Sequence, residues 1–115
     1  MLAPAMLAKQ QSSTYGERLA VLRAEARQFY LSLPGRYEQI LAAARPQLKE
    51  VFRTWLQQDL PQDVFTVVKL AGFGLEDAKA QPVRWDISFE TTGDKWLGII
   101  IPFVGDTAQK ATVDT

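Results

Sequence analysis

The sequence predicts an α+β fold, in which an N-terminal antiparallel helix hairpin packs on a three- to four-stranded antiparallel β-meander. Apolar residues recur every three or four positions before Pro61 and every second position after it, which indicates helices followed by strands. A chain of 115 residues suits a single hydrophobic core. We therefore expect a flexible leader at residues 1–12 and one α+β domain at residues 13–115.

The first helix is expected at about residues 14–33. Thr14 and Glu17 have the spacing of a capping box, which satisfies the free N–H groups at a helix start. Pro34-Gly35 is a strong stop signal. The apolar stripe consists of Leu19, Leu22, Ala26, Phe29, Tyr30 and Leu33.

The second helix is expected at about residues 36–58. Its stripe consists of Tyr37, Ile40, Leu41, Ala44, Leu48, Val51, Phe52, Trp55 and Leu56. Pro46 lies inside the stripe, where it removes one backbone hydrogen bond. Because the stripe stays in phase across this proline, we predict a helix that is kinked at Pro46 and forms an antiparallel pair with the first.

Three strands are expected, at about residues 64–71, 83–91 and 95–104. The first is rich in β-branched residues and ends at Gly72-Phe73-Gly74. The second has the clearest alternation, with apolar residues on one face and polar residues on the other. Residues 107–115 are either a short fourth strand or a tail.

The length of the turn between the second and third strands decides which side chains share a face. A three-residue loop, Thr92 to Asp94, pairs Phe89 with Leu97, Ile87 with Ile99 and Trp85 with Ile101. One face is then wholly apolar and suits the helices. This register leaves Trp96 and Ile100 on the opposite face, where exposure forgoes about 1.5 to 3 kcal/mol each.

The opposite face is therefore our candidate for partner binding. Its residues are Trp96, Ile100, Arg84, Asp86, Ser88 and Glu90. The favoured function is a non-catalytic protein–protein interaction module, such as an adaptor, assembly factor or accessory subunit. A homodimer through this face or a sheet edge is one form of it.

Composition argues against most catalytic chemistry. The chain has no cysteine and no histidine, which removes thiolate ligands, the commonest metal ligand and the usual nucleophile–base pairs. Asp86 and Glu90 share a face but lie about 13 Å apart, too far for a glycosidase pair. We therefore assign no catalytic residue, no metal site and no cofactor, and lean against an enzyme.

Two alternatives remain open. The first is a small-ligand-binding protein or enzyme with a pocket between helix hairpin and sheet, lined by Tyr30, Tyr37, Trp55 and Trp85. The second is a nucleic-acid binder that uses helix arginines, since residues 1–58 hold eight basic and four acidic residues, and the remainder five and nine. We favour solvated helices over a nucleic-acid surface.

The apolar start of the chain resembles neither a signal peptide nor a membrane span. Met1 to Ala8 is too short to cross a bilayer, and Lys9 follows the apolar run instead of preceding it. Met6 is an alternative start. We expect a cytoplasmic protein that does not enter a membrane and whose partner is a protein or a second copy of itself.

Overall fold

The computed structural model describes residues 24–77 and 79–115 in full and, for residues 2–23, the backbone of a helix. The chain divides into two compact units, one ending at Pro34 and the other beginning at Gly35. Helix α1 (Leu2–Val51) runs through both, and the second unit holds all the strands. The leader predicted at residues 1–12 and the capping box at Thr14 fall outside the described side chains.

The predicted helix hairpin is wrong, because α1 continues through Pro34 and Gly35. A helix that ended there would typically place Gly35 in a left-handed conformation. Among the described glycines, only Gly105 has a positive φ, of 60°. The physical reason is that a helix end leaves up to four carbonyls and four N–H groups without partners, whereas a proline removes one donor. The α+β class itself is confirmed.

The helical segment ends at Leu56, close to residue 58, where the sequence predicts the end of the second helix. It continues through Pro46 and passes into a π-helical turn, Phe52–Leu56. Gln57 then adopts a left-handed conformation with φ 52° and ψ 41°. Its N–H and that of Gln58 both donate to the carbonyl of Phe52, which closes the helix.

Five antiparallel strands form one sheet, so the expected three- to four-stranded meander is also corrected. The strands are β1 (Val68–Asp77), β2 (Arg84–Thr91), β3 (Gly98–Val104), β4 (Thr107–Ala108) and β5 (Thr112–Asp114). Strands β1, β2 and β3 are neighbours in that order, and both β4 and β5 pair with β3. The chain after Gly105 thus adds two short strands beside β3.

Strand β1 differs from the first strand that the sequence predicts. Val64–Thr66 is a 3-10 turn, capped by the Asp63 carboxylate, which accepts a hydrogen bond from the N–H of Phe65. The strand begins at Val68 and runs through Gly72 and Gly74. Its register on β2 shifts between Leu70 and Gly72, which is a β-bulge at Ala71.

The pairing of β2 with β3 keeps the predicted faces but not the predicted partners. Phe89 lies opposite Ile99, Ile87 opposite Ile101 and Trp85 opposite Phe103, two residues beyond the expected register. The loop has five residues, since the N–H of Thr91 donates to the carbonyl of Leu97. Because side chains alternate with a period of two, a shift of two leaves every residue on its predicted face.

The core of the second unit lies between α1 and one face of the sheet, which we call the inner face. The inner face contributes the buried side chains of Val68, Trp85, Ile87, Phe89, Leu97, Ile99, Ile101 and Phe103. The helix contributes Ile40, Ala44, Leu48, Val51 and Phe52, which follow the predicted stripe. Most of this buried area is aliphatic or aromatic, so hydrophobic burial is the main stabilising term.

Polar contacts around this core fix the helix against the sheet. Arg36 forms an ion pair with Asp106 at 2.9 Å, between Nη1 and Oδ1. The N–H of Ala111 donates to Oε1 of Gln47 at 3.0 Å. These contacts join α1 to the turn after β3 and to the segment before β5, so both sides of the helix are held.

Candidate functional site

We call the face of the sheet that points away from the core the outer face. The residues predicted to bind a partner lie on it. Cross-strand partners lie on the same face, so the outer face follows from the register. It consists of Lys69, Gly72, Gly74 and Asp77 of β1, Arg84, Asp86, Ser88 and Glu90 of β2, Gly98, Ile100, Pro102 and Val104 of β3, and Thr112 and Asp114 of β5. Within residues 35–77 and 79–115, no helix or strand lies over it.

Four positions of β2 give the outer face its polarity. Arg84, Asp86, Ser88 and Glu90 alternate with core residues, and each is exposed or half-buried. Glu90 forms an ion pair with Lys69, directly across on β1, with 3.1 Å between Oε2 and Nζ. The pair is solvated, because the Lys69 side chain is 66% exposed, so its stabilising effect is small.

Asp86 lies over Gly74 of the neighbouring strand. A Cβ atom added to Gly74 would meet both carboxylate oxygens of Asp86 at 2.8 Å. The absence of a side chain at Gly74 therefore leaves the space that this carboxylate occupies. The glycine thus lets an acidic group lie flat on the sheet surface.

Trp96 lies at the end of the outer face, in the loop that enters β3. Its side chain is among the exposed large apolar groups, with 49% of its surface accessible. The ring extends over Gly98, where an added Cβ atom would lie 3.1 Å from Cη2. One face of the indole thus packs on the backbone at Gly98, where there is no side chain, and the other face is exposed.

An apolar strip runs from Trp96 along β3. Ile100, Pro102 and Val104 occupy the outer-face positions of that strand, and all three are half-buried. Ile100 lies opposite Ser88 on one side and Thr112 on the other. All six residues predicted to bind a partner therefore lie together on one face, with charges along β2 and apolar groups along β3.

The sequence did not reveal the contribution of β1 to this face. Gly72 and Gly74 were predicted to end the first strand, whereas they pair with Ser88 and Asp86 in mid-strand. Their spacing of two is the available signal, because two glycines at that spacing lie on one face of a strand. Lys69 and Asp77 are placed on the outer face by the pairing of β1 with β2, in which they lie opposite Glu90 and Arg84.

Four aromatic residues were proposed to line a pocket, and they differ widely in burial. Trp85 is buried, stacks on Phe103 with ring centroids 4.3 Å apart, and donates its indole N–H to the carbonyl of Gly105 at 2.8 Å. Tyr37 is half-buried, and Tyr30 is 42% exposed in the first unit. The structure thus places Trp85 in the core and not at a ligand surface.

Trp55 borders two open clefts beside the end of the helix. The larger, of about 490 Å³, lies between the π-helical turn and the loop from Thr91 to Lys95. The smaller, of about 290 Å³, lies between α1 and the segment from Lys110 to Val113. Tyr37 and Trp85 line neither of these clefts. In the larger one, the Lys95 ammonium group lies 3.4 Å from the carbonyl oxygen of Trp55.

Two of the helix arginines considered for nucleic-acid binding are engaged within the protein. Both terminal nitrogens of Arg45 donate to the chain after the helix, to the carbonyls of Pro61 and Gln62 at 2.7 and 2.8 Å. Arg36 pairs with Asp106. These guanidinium groups hold the fold together, which reduces their capacity to neutralise phosphates.

Neither a metal cluster nor a membrane span is found in the described part of the chain. No three acidic side chains there lie close enough together to hold a metal ion. No helix within the searched residues has the length and apolarity needed to cross a bilayer.

Comparison with protein families, with curated proteins and with solved structures finds no significant match to this chain.

Proposed function

We propose that this protein is a non-catalytic protein–protein interaction module, an adaptor, assembly factor or accessory subunit, which binds its partner through the outer face of the sheet. The observation that supports the proposal most directly is Trp96, whose indole lies over Gly98 with half of its surface accessible. Tryptophan is enriched among the residues that dominate binding energy in protein interfaces.

The surroundings of Trp96 have the composition of an interface. Ile100, Pro102 and Val104 extend the apolar area along β3, and the charged groups of β1 and β2 border it. Interfaces commonly have an apolar centre with a polar rim. Of the three outer-face glycines, Gly74 lies under the Asp86 carboxylate and Gly98 under the Trp96 ring, whereas nothing lies within 4 Å of where a Cβ of Gly72 would be, so a partner can approach the sheet closely at Gly72.

A binding role also agrees with the residues that the chain lacks. Without histidine or cysteine, general acid–base and nucleophilic catalysis would depend on carboxylates, lysines or hydroxyl groups. Asp86 and Glu90, the acidic groups of β2, are separated by about 13 Å along the strand. These charges suit recognition of a partner better than proton transfer to one substrate.

The proposal is tested by photo-crosslinking in the cells that make the protein. A benzoylphenylalanine in place of Ser88, at the centre of the outer face, should give a covalent adduct with a protein after irradiation. The matched control carries the same group in place of Arg53, which is exposed on the helix. The added substitution Ile100→Asp should remove the adduct, because it places a charge in the apolar strip.

The proposal would be contradicted if the Ile100→Asp variant still formed the adduct from position 88. It would also be contradicted if positions 88 and 53 gave equal amounts of adduct. The absence of any adduct from position 88 would contradict it as well. The mass of the adduct separates a second copy of the chain, at twice 12.9 kDa, from a different protein.

A further inference from the structure

We infer that the partner of the outer face is a second copy of this chain, placed by a twofold axis that crosses the strands at Phe73, Ile87 and Ile101. The two sheets pack face to face, and β2 of one copy lies over β2 of the other in the opposite direction. This inference rests on the proposed function and names the partner of the same surface. A twofold interface is self-complementary, so each residue and its opposite must match.

The charges of the outer face match under this rotation. On β2, Arg84 and Glu90 lie three residues on either side of Ile87, and on β1 their cross-strand partners are Asp77 and Lys69. Rotation about the axis exchanges the two ends of each strand. Arg84 then lies opposite Glu90 of the second copy, and Lys69 lies opposite Asp77 of the second copy, so oppositely charged groups meet at both ends.

The charged groups are available for such contacts. Lys69 and Glu90 already form an ion pair at one end of the face. No ion pair of Arg84 occurs within the described residues. Oδ1 of Asp77 accepts hydrogen bonds from the N–H groups of Lys79 and Ala80, while its second carboxylate oxygen remains for a cation. Each end of the dimer would therefore hold two cations and two carboxylates.

The remaining positions match as well. Around the axis, Ser88 lies opposite Asp86 of the second copy, which pairs a hydroxyl donor with a carboxylate acceptor. Ile100 lies opposite Pro102, and the Trp96 indole over Gly98 lies opposite Val104. A bulky ring thus meets a smaller side chain at each end of β3, and around the axis the interface is apolar on β3 and polar on β2.

A twofold arrangement with the axis parallel to the strands, between β2 and β3, fits worse. It places β2 of one copy over β3 of the other. Arg84 would then lie opposite Val104, and Glu90 opposite Gly98, so two charged groups would lose water without gaining a partner. Lys69 opposite Asp114 is the one favourable charge pair in that arrangement. The charge pattern therefore selects the axis across the strands.

The size of the face predicts a weak dimer. Four strand spacings by six residue steps cover about 400 Å² on each copy. Stable interfaces cover about 800 Å² on each partner, so we expect an equilibrium that depends on protein concentration. Because charge pairs form both ends of the interface, added salt should weaken the association.

The test uses two charge-reversal variants. Each should prevent association when present alone, and a mixture of the two should associate. In a homodimer of the Arg84→Glu variant, two carboxylates face each other at each end, and in the Glu90→Arg variant two guanidinium groups do. When the two variants are mixed, each glutamate again lies opposite an arginine. Sedimentation velocity from about 5 to about 500 µM covers the dissociation constants expected for a small interface.

We expect the wild type to shift from monomer towards dimer over this range at low salt, each single variant to remain monomeric, and the mixture to associate at least as well as the wild type. Arg53→Glu, the same charge change on the helix, should behave as the wild type does. Association of the mixture also shows that both variants are folded. A monomeric wild type, a dimeric Arg84→Glu variant, or monomeric variants that stay monomeric when mixed would each overturn the inference.

Failure of this inference is distinguishable from failure of the proposed function. If the wild type is monomeric but the crosslinker at position 88 captures a different protein, the second copy is excluded and the binding face stands. If neither association nor an adduct is found, both are overturned.

Discussion

On the inner face of β2 and β3, Ile87, Phe89 and Ile99 have no accessible surface, whereas Ser88 and Ile100, their immediate neighbours on the outer face, are half-buried. The same two strands thus carry two surfaces with different physical roles. The inner face stabilises the fold through burial against α1. The outer face is partly in contact with water, so we expect its residues to contribute less to stability.

The largest expected effect comes from adjacent isoleucines of β3. Ile99→Ala should lower the free energy of unfolding by about 2–5 kcal/mol, because it leaves a cavity in a closely packed core. Ile100→Ala should lower it by about 1 kcal/mol or less, since the side chain is partly in water. Urea denaturation of dilute protein measures both. Equal losses would mean that the two faces are not distinct.

A smaller effect is expected from the hydroxyl group that closes the hairpin. Oγ1 of Thr91 donates to the carbonyl of Lys95 at 2.7 Å and accepts from the buried N–H of Leu97 at 2.8 Å. Thr91→Val keeps the shape and removes both bonds, which should lower the free energy of unfolding by about 1–3 kcal/mol. The measurement is the urea midpoint at constant slope.

Thr92→Val is the matched control for that substitution. Its hydroxyl is exposed, and its contact with the carbonyl of Thr66 is long, at 3.4 Å. We expect a change within about 0.5 kcal/mol. A loss at Thr92 as large as that at Thr91 would show that the buried hydroxyl has no special role.

The smallest effect on stability is expected from the outer-face ion pair. A double-mutant cycle of Lys69→Ala and Glu90→Ala should give a coupling free energy below about 1 kcal/mol, and salt should reduce it. The same substitutions should weaken self-association measurably, because both charges have a second role in the proposed dimer. A coupling above about 2 kcal/mol would show that this face stabilises the fold.

The strand faces were predictable because alternation is a local property of the sequence. Trp85, Ile87 and Phe89 are inward-facing and buried, as the period of two indicates. The exact partners were not predictable, since a loop of three and a loop of five residues give the same faces. The Thr91 hydroxyl contacts that favour the longer loop form only when the hairpin is closed.

The prediction of a helix hairpin was wrong for a different reason. Pro34-Gly35 is a strong stop signal locally, but its cost of about 4 kcal/mol inside a helix has to be compared with the cost of two new helix ends. The end of the helical segment, at Gln57, lies close to the boundary predicted at about residue 58. It depends on two N–H groups that converge on one carbonyl, that of Phe52.

The sequence by itself determined the α+β class, the apolar stripe of the helix from Ile40 to Phe52, and the face on which each residue of β2 and β3 lies. These features follow from periodicity, which depends only on neighbouring residues. Tertiary structure decided that one helix replaces two, that five strands replace three or four, and that β1 brings Lys69, Gly74 and Asp77 beside β2. Those outcomes depend on pairing between residues distant in sequence, whose free energy no local pattern contains.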